Sequence, residues 1–285
     1  MKKILSLLLA AVMVCTLAAC SGTTPGSENS MADKSEGSNV QTESTPESKS
    51  EKTPVYKVLT NATFPPFDTI DENTGEIIGF DMDLIAAIGE DQGFQVEFVD
   101  MAFESLIPAI ETGNGDIIAA GMWSGDPERI AKVDFSETYW TDGAALLVKT
   151  ENTAITGLDS LTADMKVATQ IATNYADDLQ AMVEEGTLGE AVILDGFDTC
   201  VLQLINGDVD AVMAGASIVQ AYMDKNPEAL KVVGDKASYE DLGFAVQKGN
   251  AELLEKINAG LANVQENGTY DELLKKWGLA YSGKE

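Results

Sequence analysis

The chain predicts an α/β fold built as two lobes, each a mostly parallel sheet flanked by helices. Three observations carry this. From Val55 onward, short apolar strands alternate with amphipathic helical stretches, the pattern of a largely parallel sheet covered by helices. The length of 285 residues, 45% of them hydrophobic, suffices for two domains with cores. Third, Phe103–Gly121 aligns without gaps on Phe197–Gly215. Phe103/Phe197, Gly113/Gly207, Asp116/Asp210, Ala120/Ala214 and Gly121/Gly215 coincide, with Ile107/Val201 and Ile110/Leu204 matched as apolar positions. Each copy reads as a helix, a tight turn and a buried strand ending at glycine, which favours two lobes of like construction.

The N-terminus reads as a targeting segment. Lys2 and Lys3 precede the apolar run Ile4–Val14, too short to span a bilayer. It closes on Leu17-Ala18-Ala19-Cys20, a spacing that resembles the bacterial lipobox, in which the cysteine is lipidated and becomes the first mature residue. An ordinary secretory cleavage near the same place is the plainer alternative. The expected division is a signal peptide over 1–19, then lipidated Cys20 and a Ser/Thr/Glu/Gly/Pro-rich tether to residue 54. A flexible coil of that length spans on the order of 30 Å.

The net charge of −29 argues against nucleic-acid binding, which needs basic patches, and against adhesion to anionic lipid by charge alone. The absence of histidine excludes imidazole catalysis, Ser-His triads and His-ligated zinc. Of the three cysteines, Cys15 leaves with the signal and Cys20 is acylated, so Cys200 stands alone as an inert thiol on a buried helix face. No metal or other cofactor is implied.

Folded sequence begins with the alternating strand Val55–Leu59. It runs into Asn61-Ala62-Thr63-Phe64-Pro65-Pro66-Phe67, where two prolines make a stiff, extended loop. Phe64 and Phe67 therefore have a fixed aim, into the core or into a pocket. A turn at Asp71–Gly75 precedes Ile77–Phe80, and a helix capped by Asp81 buries Leu84, Ile85 and Ile88. Gln95–Val99 alternates as a strand, and Ile117–Ala120 is a strand that breaks at Gly121.

After Met122-Trp123-Ser124-Gly125, Asp126 suits a helix N-cap, Pro127 the first turn and Glu128 the positive helix end. Arg129 follows, a planar five-donor cation suited to gripping a carboxylate. Strand end, glycine turn, free helix amides and arginine together describe an anion-receiving corner. Gly143–Val148 is a strand, and Lys166–Thr169 begins a second βα series. The loop Gln170–Asn174 leads to a helix over Tyr175–Glu185, capped by Thr173 or Asn174, whose open amides make a second receiver. Ser217–Asn226 reads as helix, Leu230–Val233 and Leu242–Val246 as strands, and Ala251–Glu266 as a long amphipathic helix. Gly268-Thr269-Tyr270 restarts a helix that ends at Trp277.

Four groups of residues, in order and spacing, carry a resemblance. They are Ala62–Phe67; Gly79-Phe80-Asp81-Met82-Asp83-Leu84; Asp126–Arg129 with Val133–Ser136; and Asn267–Tyr270 with Lys276-Trp277. Over Val55–Trp277 the chain resembles the amino-acid-type solute-binding proteins of ABC importers (family 3), which include glutamine- and histidine-binding proteins. The resemblance implies a periplasmic-binding-protein-like fold whose two lobes close on a ligand. Lobe 1 would comprise 55–139 plus 244–285 and lobe 2 140–243, with hinge crossings near 139–143 and 239–243. It further implies a monomeric binding subunit on the extracytoplasmic face of a bacterial membrane, lipid-anchored and partnered by a permease. By resemblance, Phe64 and Phe103 sandwich the ligand side chain. Arg129 holds its carboxylate with amides of Thr173 and Asn174, and Gln170 touches the side chain. Gly121, Met122, Trp123 and Gly215 complete the expected site.

Three departures bear on the ligand. The family's aspartate for an α-ammonium falls on Gly215, the hydroxyl two residues after Gly121 falls on Trp123, and the acid that often opens the first loop is Asn61. A buried unpaired ammonium costs several kcal/mol. The expected ligand is therefore a small carboxylate-bearing solute, amino-acid-related but without the usual ammonium clamp, unless Asp68, Asp142 or Asp177 supplies the charge. Trp123 either stacks on a flat ligand, shields a cation through its ring face or packs its own loop. Two other functions stand behind binding. One is a dehydratase-like enzyme on the same scaffold, which requires a poised acid or base; the other is a ligand sensor acting through a separate receptor. No catalytic group is evident, and the expectation is that the protein is not an enzyme.

Overall fold

A computed structural model describes residues 52–279, the side chains of 235–239 excepted. The expected signal peptide, Cys20 and nearly all of the tether lie outside the described residues.

The chain opens with β1 (Val55–Thr60), then three short strands, β2 (Thr63–Phe64), β3 (Asp68–Ile70) and β4 (Ile77–Ile78), which form a small antiparallel sheet of their own. Between β3 and β4, Asp71 accepts hydrogen bonds from the amides of Asn73 and Thr74 and so forms the expected turn. Helix α1 (Phe80–Gln92), β5 (Gln95–Asp100), α2 (Leu106–Glu111), β6 (Ile117–Ile118), α3 (Pro127–Ile130) and β7 (Val133–Phe135) follow. The chain then enters β8 (Trp140–Lys149), β9 (Lys166–Gln170), α4 (Asn174–Glu184), β10 (Glu190–Leu194), α5 (Phe197–Asn206), β11 (Ala211–Gly215) and α6 (Ala216–Lys225). The long β12 (Leu230–Leu242) leads back to β13 (Ala245–Gln247), α7 (Ala251–Glu266) and α8 (Thr269–Lys276).

Two five-stranded sheets result, ordered β5-β1-β6-β13-β7 and β10-β9-β11-β8-β12. In each, three strands pair in parallel and two more are added through antiparallel pairings, so that only β13 and β8 run against the rest of their sheets. The strands added by antiparallel pairing, β7 and β13 in one sheet and β8 and β12 in the other, are those by which the chain passes between sheets. The chain leaves the first sheet after Phe135 and enters the second at Trp140, and it returns between Leu242 and Ala245.

The internal repeat has a physical basis. Asp116 accepts a bond from the amide of Lys57 at 2.7 Å and returns its own amide to the Lys57 carbonyl at 2.9 Å. Asp210 does the same with Lys166, at 2.8 Å both ways. Each aspartate thus pins the strand it begins, β6 or β11, to the first strand of its own series, β1 or β9.

Packing follows the predicted apolar faces. Leu84, Ile85 and Ile88 of α1 are fully buried, with Leu253, Ile257 and Leu261 of α7 alongside. Cys200 is fully buried in α5 and free, and burial pushes its thiol up to about 12.

Asp81 is not the cap of α1. The helix begins at Phe80 behind Gly79, with no side-chain cap. Gly79 has φ 153°, and a Cβ there would lie 1.9 Å from the Phe67 carbonyl oxygen, so only glycine permits the close approach of these two backbone segments. One residue later, the fully buried Asp81 turns inward. It accepts bonds from the Gly121 amide at 2.9 Å and the Tyr139 hydroxyl at 2.7 Å. Burial raises its carboxyl to about 7.

Candidate functional site

The carboxyl ends of the parallel strands face one another across the two sheets, where ligands of open α/β sheets bind. β1 ends at Thr60, just before Asn61, the chain runs on from β6 to Gly121, β9 ends at Gln170 and β11 at Gly215. Contacts already join the two sides. Gln170 Nε2 donates to Asn61 Oδ1 at 2.7 Å, the Tyr222 hydroxyl donates to the Thr63 carbonyl at 2.9 Å, and the Phe64 and Phe197 rings lie 5.4 Å apart.

Gly121 is held by Asp81 with φ +54°, and a Cβ on it would lie 2.3 Å from Phe64 Cε1. The glycine therefore both makes the left-handed bend and admits the Phe64 ring. α3 follows as the sequence suggests: the Asp126 carboxylate accepts from the amides of Glu128 (2.8 Å) and Arg129 (3.4 Å). Those amides are thus occupied, and the corner's capacity for an anion rests on the Arg129 side chain instead.

Arg129 is 7% exposed. Its Nε pairs with Asp126 at 3.2 Å, one terminal nitrogen donates to the Trp123 carbonyl at 3.3 Å, and the other crosses to the Ala172 carbonyl at 2.8 Å. The guanidinium carbon lies 5.5 Å from the centre of the Phe103 ring. Burial lowers its pKa, while Asp126 and then Glu240 oppose that shift; an arginine remains cationic under such shifts. Opposite it, Thr173 caps α4 by accepting from the Ala176 amide at 3.3 Å, and its hydroxyl donates to the Gln170 carbonyl.

Phe64, Phe103, Gly121, Trp123, Arg129, Gln170, Thr173 and Asn174 surround one narrow cavity of about 20 Å³, room for a single water. A wider cavity of about 290 Å³ shares Phe103, Arg129, Thr173 and Asn174 with it and adds Met122, Asp126 and Asp177. Met122 is otherwise packed into the core of the first sheet. Trp123 both lines the inner cavity and packs its loop, since its Nε1 would meet a Cβ on Gly125 at 2.6 Å. Phe67 belongs to the core. Gly215 does not line the cavity: a Cβ there would sit 2.7 Å from Asp142 Oδ2 and 3.2 Å from the Tyr175 hydroxyl.

Two lining residues escape the sequence reading, Tyr175 and Glu240. Glu240 is 4% exposed and accepts from Asn174 Nδ2 at 2.5 Å and from the Tyr175 hydroxyl at 2.8 Å. Burial raises its carboxyl and Asp142 adds to the rise, against the pull of Tyr175, Asn174 and Arg129. The inner cavity therefore holds an acid as well as Arg129. The three acids considered from sequence lie elsewhere. Asp68 is buried on the Thr60 hydroxyl beside Asp81, Asp177 borders the outer cavity, and Asp142 abuts Gly215. Nothing local in Ser238-Tyr239-Glu240-Asp241 signals a cavity acid; only the pairing of β12 with β8 puts it there.

A cleft of this construction has clear counterparts. A putative ABC transporter arginine-binding protein 2 of Escherichia coli (strain K12) is 35% identical over 226 residues, covering 78% of this chain and 89% of that protein. The ABC transporter glutamine-binding protein GlnH of Bacillus subtilis (strain 168) is 30% identical over 97% of each chain. Among solved structures, an ancestral arginine-binding protein bound to arginine matches at 39% identity with a TM-score of 0.74, over 78% of this chain and 97% of that one. Residues 56–280 match the family model of the bacterial extracellular solute-binding proteins, family 3. With two lobes meeting over a buried arginine and most of the chain matched, the protein belongs to the bacterial extracellular solute-binding proteins, family 3.

Proposed function

We propose that the protein captures an α-amino acid between its lobes and delivers it to the permease of an ABC importer, and that a lipid on Cys20 holds it at the cell surface. The observation that carries this reading is Arg129: a buried cation, capped at its base by Asp126, that reaches across the cleft to Ala172. Asp126, Trp123 and Ala172 engage three of its five donors among the described residues. A ligand carboxylate would be gripped by the planar fork while Phe64 and Phe103 wall its side chain. Contacts to both lobes then favour the closed population, which is how binding becomes a signal to a permease. The relatives named for arginine and glutamine binding support an amino acid as cargo.

Binding, not turnover, is the proposed role, although Glu240 is an acid with a raised pKa in the cavity and one structural neighbour is an ancestral amino-acid-binding protein described as a precursor of cyclohexadienyl dehydratase. Calorimetry tests the reading: standard L-amino acids are titrated into the purified protein and into Arg129→Ala. Saturable binding that the variant weakens on the order of a hundredfold or more is expected, the usual effect of truncating one partner of a buried charge pair. Undiminished binding by Arg129→Ala, or chemical conversion of the titrated ligand, would overturn it.

A further inference from the structure

We propose that Glu240 is the counter-charge for the ligand's α-ammonium, and that position 215 is glycine because Asp142 reaches into the space behind it. The site would thus take a true α-amino acid in preference to its desamino acid, with the acid moved from the end of β11 to the strands that cross between the sheets. The inference rests on the amino-acid reading above and sharpens it.

Asp142 of β8 and Glu240 of β12 are register partners, directly opposite on antiparallel strands. Both are buried, at 2% and 4% exposure. Like charges placed so are unfavourable, and two neighbouring buried carboxylates do not readily ionise together. Asp142 is held by the amides of Gly143 at 2.9 Å and Ser217 at 3.0 Å. A side chain at position 215 would start 2.5 Å from Ile218 Cδ1 and 2.7 Å from Asp142 Oδ2. An aspartate there would crowd Ile218 and set a second carboxylate against Asp142, so the glycine fits an acid placed elsewhere. Glu240 is the member of the pair that lines the cavity, together with Arg129. Glu240 and Arg129 thus place an acid and a cation on the walls of one space, where a zwitterion's two charged groups would lie once the narrow cavity opens to admit it.

The charged and titratable groups facing Glu240, among the described residues, are Asp142 from β8, Tyr175 from α4 and Arg129 from α3. Burial and Asp142 favour a proton on Glu240 in the free protein. An ammonium docking on it favours the carboxylate, so below the free-protein pKa of Glu240 binding would release the carboxyl proton to solvent, and above it an existing carboxylate would pair with the ammonium with no proton exchanged. Affinity for the ammonium should then fall as pH is lowered through the free-protein pKa of Glu240, by up to about tenfold per pH unit. Asp142 acts through Glu240 and is a positioning residue: Asp142→Asn should move the onset of this dependence to lower pH.

The test is calorimetry on the full protein with L-arginine, L-glutamine and L-histidine and with the desamino acid of each, from about pH 5 to about pH 8 in buffers of different ionisation heat. The proposal predicts that amino-acid affinity falls, and proton release on binding grows, as pH is lowered through the range in which Glu240 takes up its proton. It also predicts that Glu240→Gln loses the pH slope and lowers the ratio of amino-acid to desamino-acid affinity on the order of a hundredfold. If Arg129→Ala abolishes binding while Glu240→Gln keeps both affinity and pH slope, this inference falls and the amino-acid reading stands. A wild-type protein that binds none of these amino acids overturns both. Because the preference for the amino acid over its desamino acid is read on the wild type, a poorly folded variant does not remove the test, and a wild type that binds both alike overturns the inference.

Discussion

Replacing Asp81 by Asn isolates the energetics of one buried carboxylate at the junction of the cleft and the chain crossing. Asp81 Oδ2 accepts from both the Gly121 amide and the Tyr139 hydroxyl, and among the described residues Oδ1 has no partner. Its carboxyl is raised from the ordinary 3.8 to about 7. Between these values the folded protein holds a proton that the unfolded chain has lost. Stability therefore declines as pH rises through that window and levels off above it, by about 4 kcal/mol in all. In Asp81→Asn the amide oxygen takes over both accepted bonds, and the amide nitrogen fills the unpartnered position at a cost of about 1–3 kcal/mol. The variant should be no more stable than wild type near pH 4 and more stable by about 1–3 kcal/mol near pH 8. Asp68, raised chiefly by burial and next by Asp81, is relieved in the same direction. Denaturant unfolding of both proteins at intervals across that range measures the difference directly. Parallel stability curves would refute the assignment of Asp81 as a carboxylate that pays for its burial.

Gly79→Ala should be severely destabilising, by more than about 3 kcal/mol, because its Cβ would lie 1.9 Å from backbone oxygen. Gly75→Ala, at φ +74° with nothing within 4 Å, should cost only about 1–2 kcal/mol; thermal unfolding of the two separates steric exclusion from left-handed strain. Cys20→Ser should abolish incorporation of a fatty-acid label in growing cells and release the protein from the membrane fraction, and continued labelling would contradict the proposed anchor.

What could be read from sequence was what local chemistry determines. The helix α7 runs over the predicted residues because Asn250 caps it, accepting from the Leu253 amide, and its apolar face is regular. Thr173 at the start of α4 and Asp126 at the start of α3 are legible for the same reason. The repeat stands out because Asp116 and Asp210 perform one task at two places. The misreadings are non-local. Asp81 has the composition of a cap, yet its partners are 40 and 58 residues away. β12 looks like an apolar run that ends at Val233, because Gly234 and the charged residues beyond it break the pattern. The chain instead continues as one strand, paired with β8 across two irregularities in register. Glu240 lies in that stretch, so its burial opposite Asp142 follows from a pairing that no window of sequence displays. Gly215, read alone, is a missing acid; beside Asp142 it is the space an acid needs.

The most direct test of the central claim is a crystal structure of the protein with the amino acid that binds most tightly. The account predicts the ligand carboxylate on the Arg129 guanidinium, its ammonium within hydrogen-bond distance of Glu240, and its side chain between Phe64 and Phe103. A ligand seated elsewhere, or one whose carboxylate is held without Arg129, would contradict it.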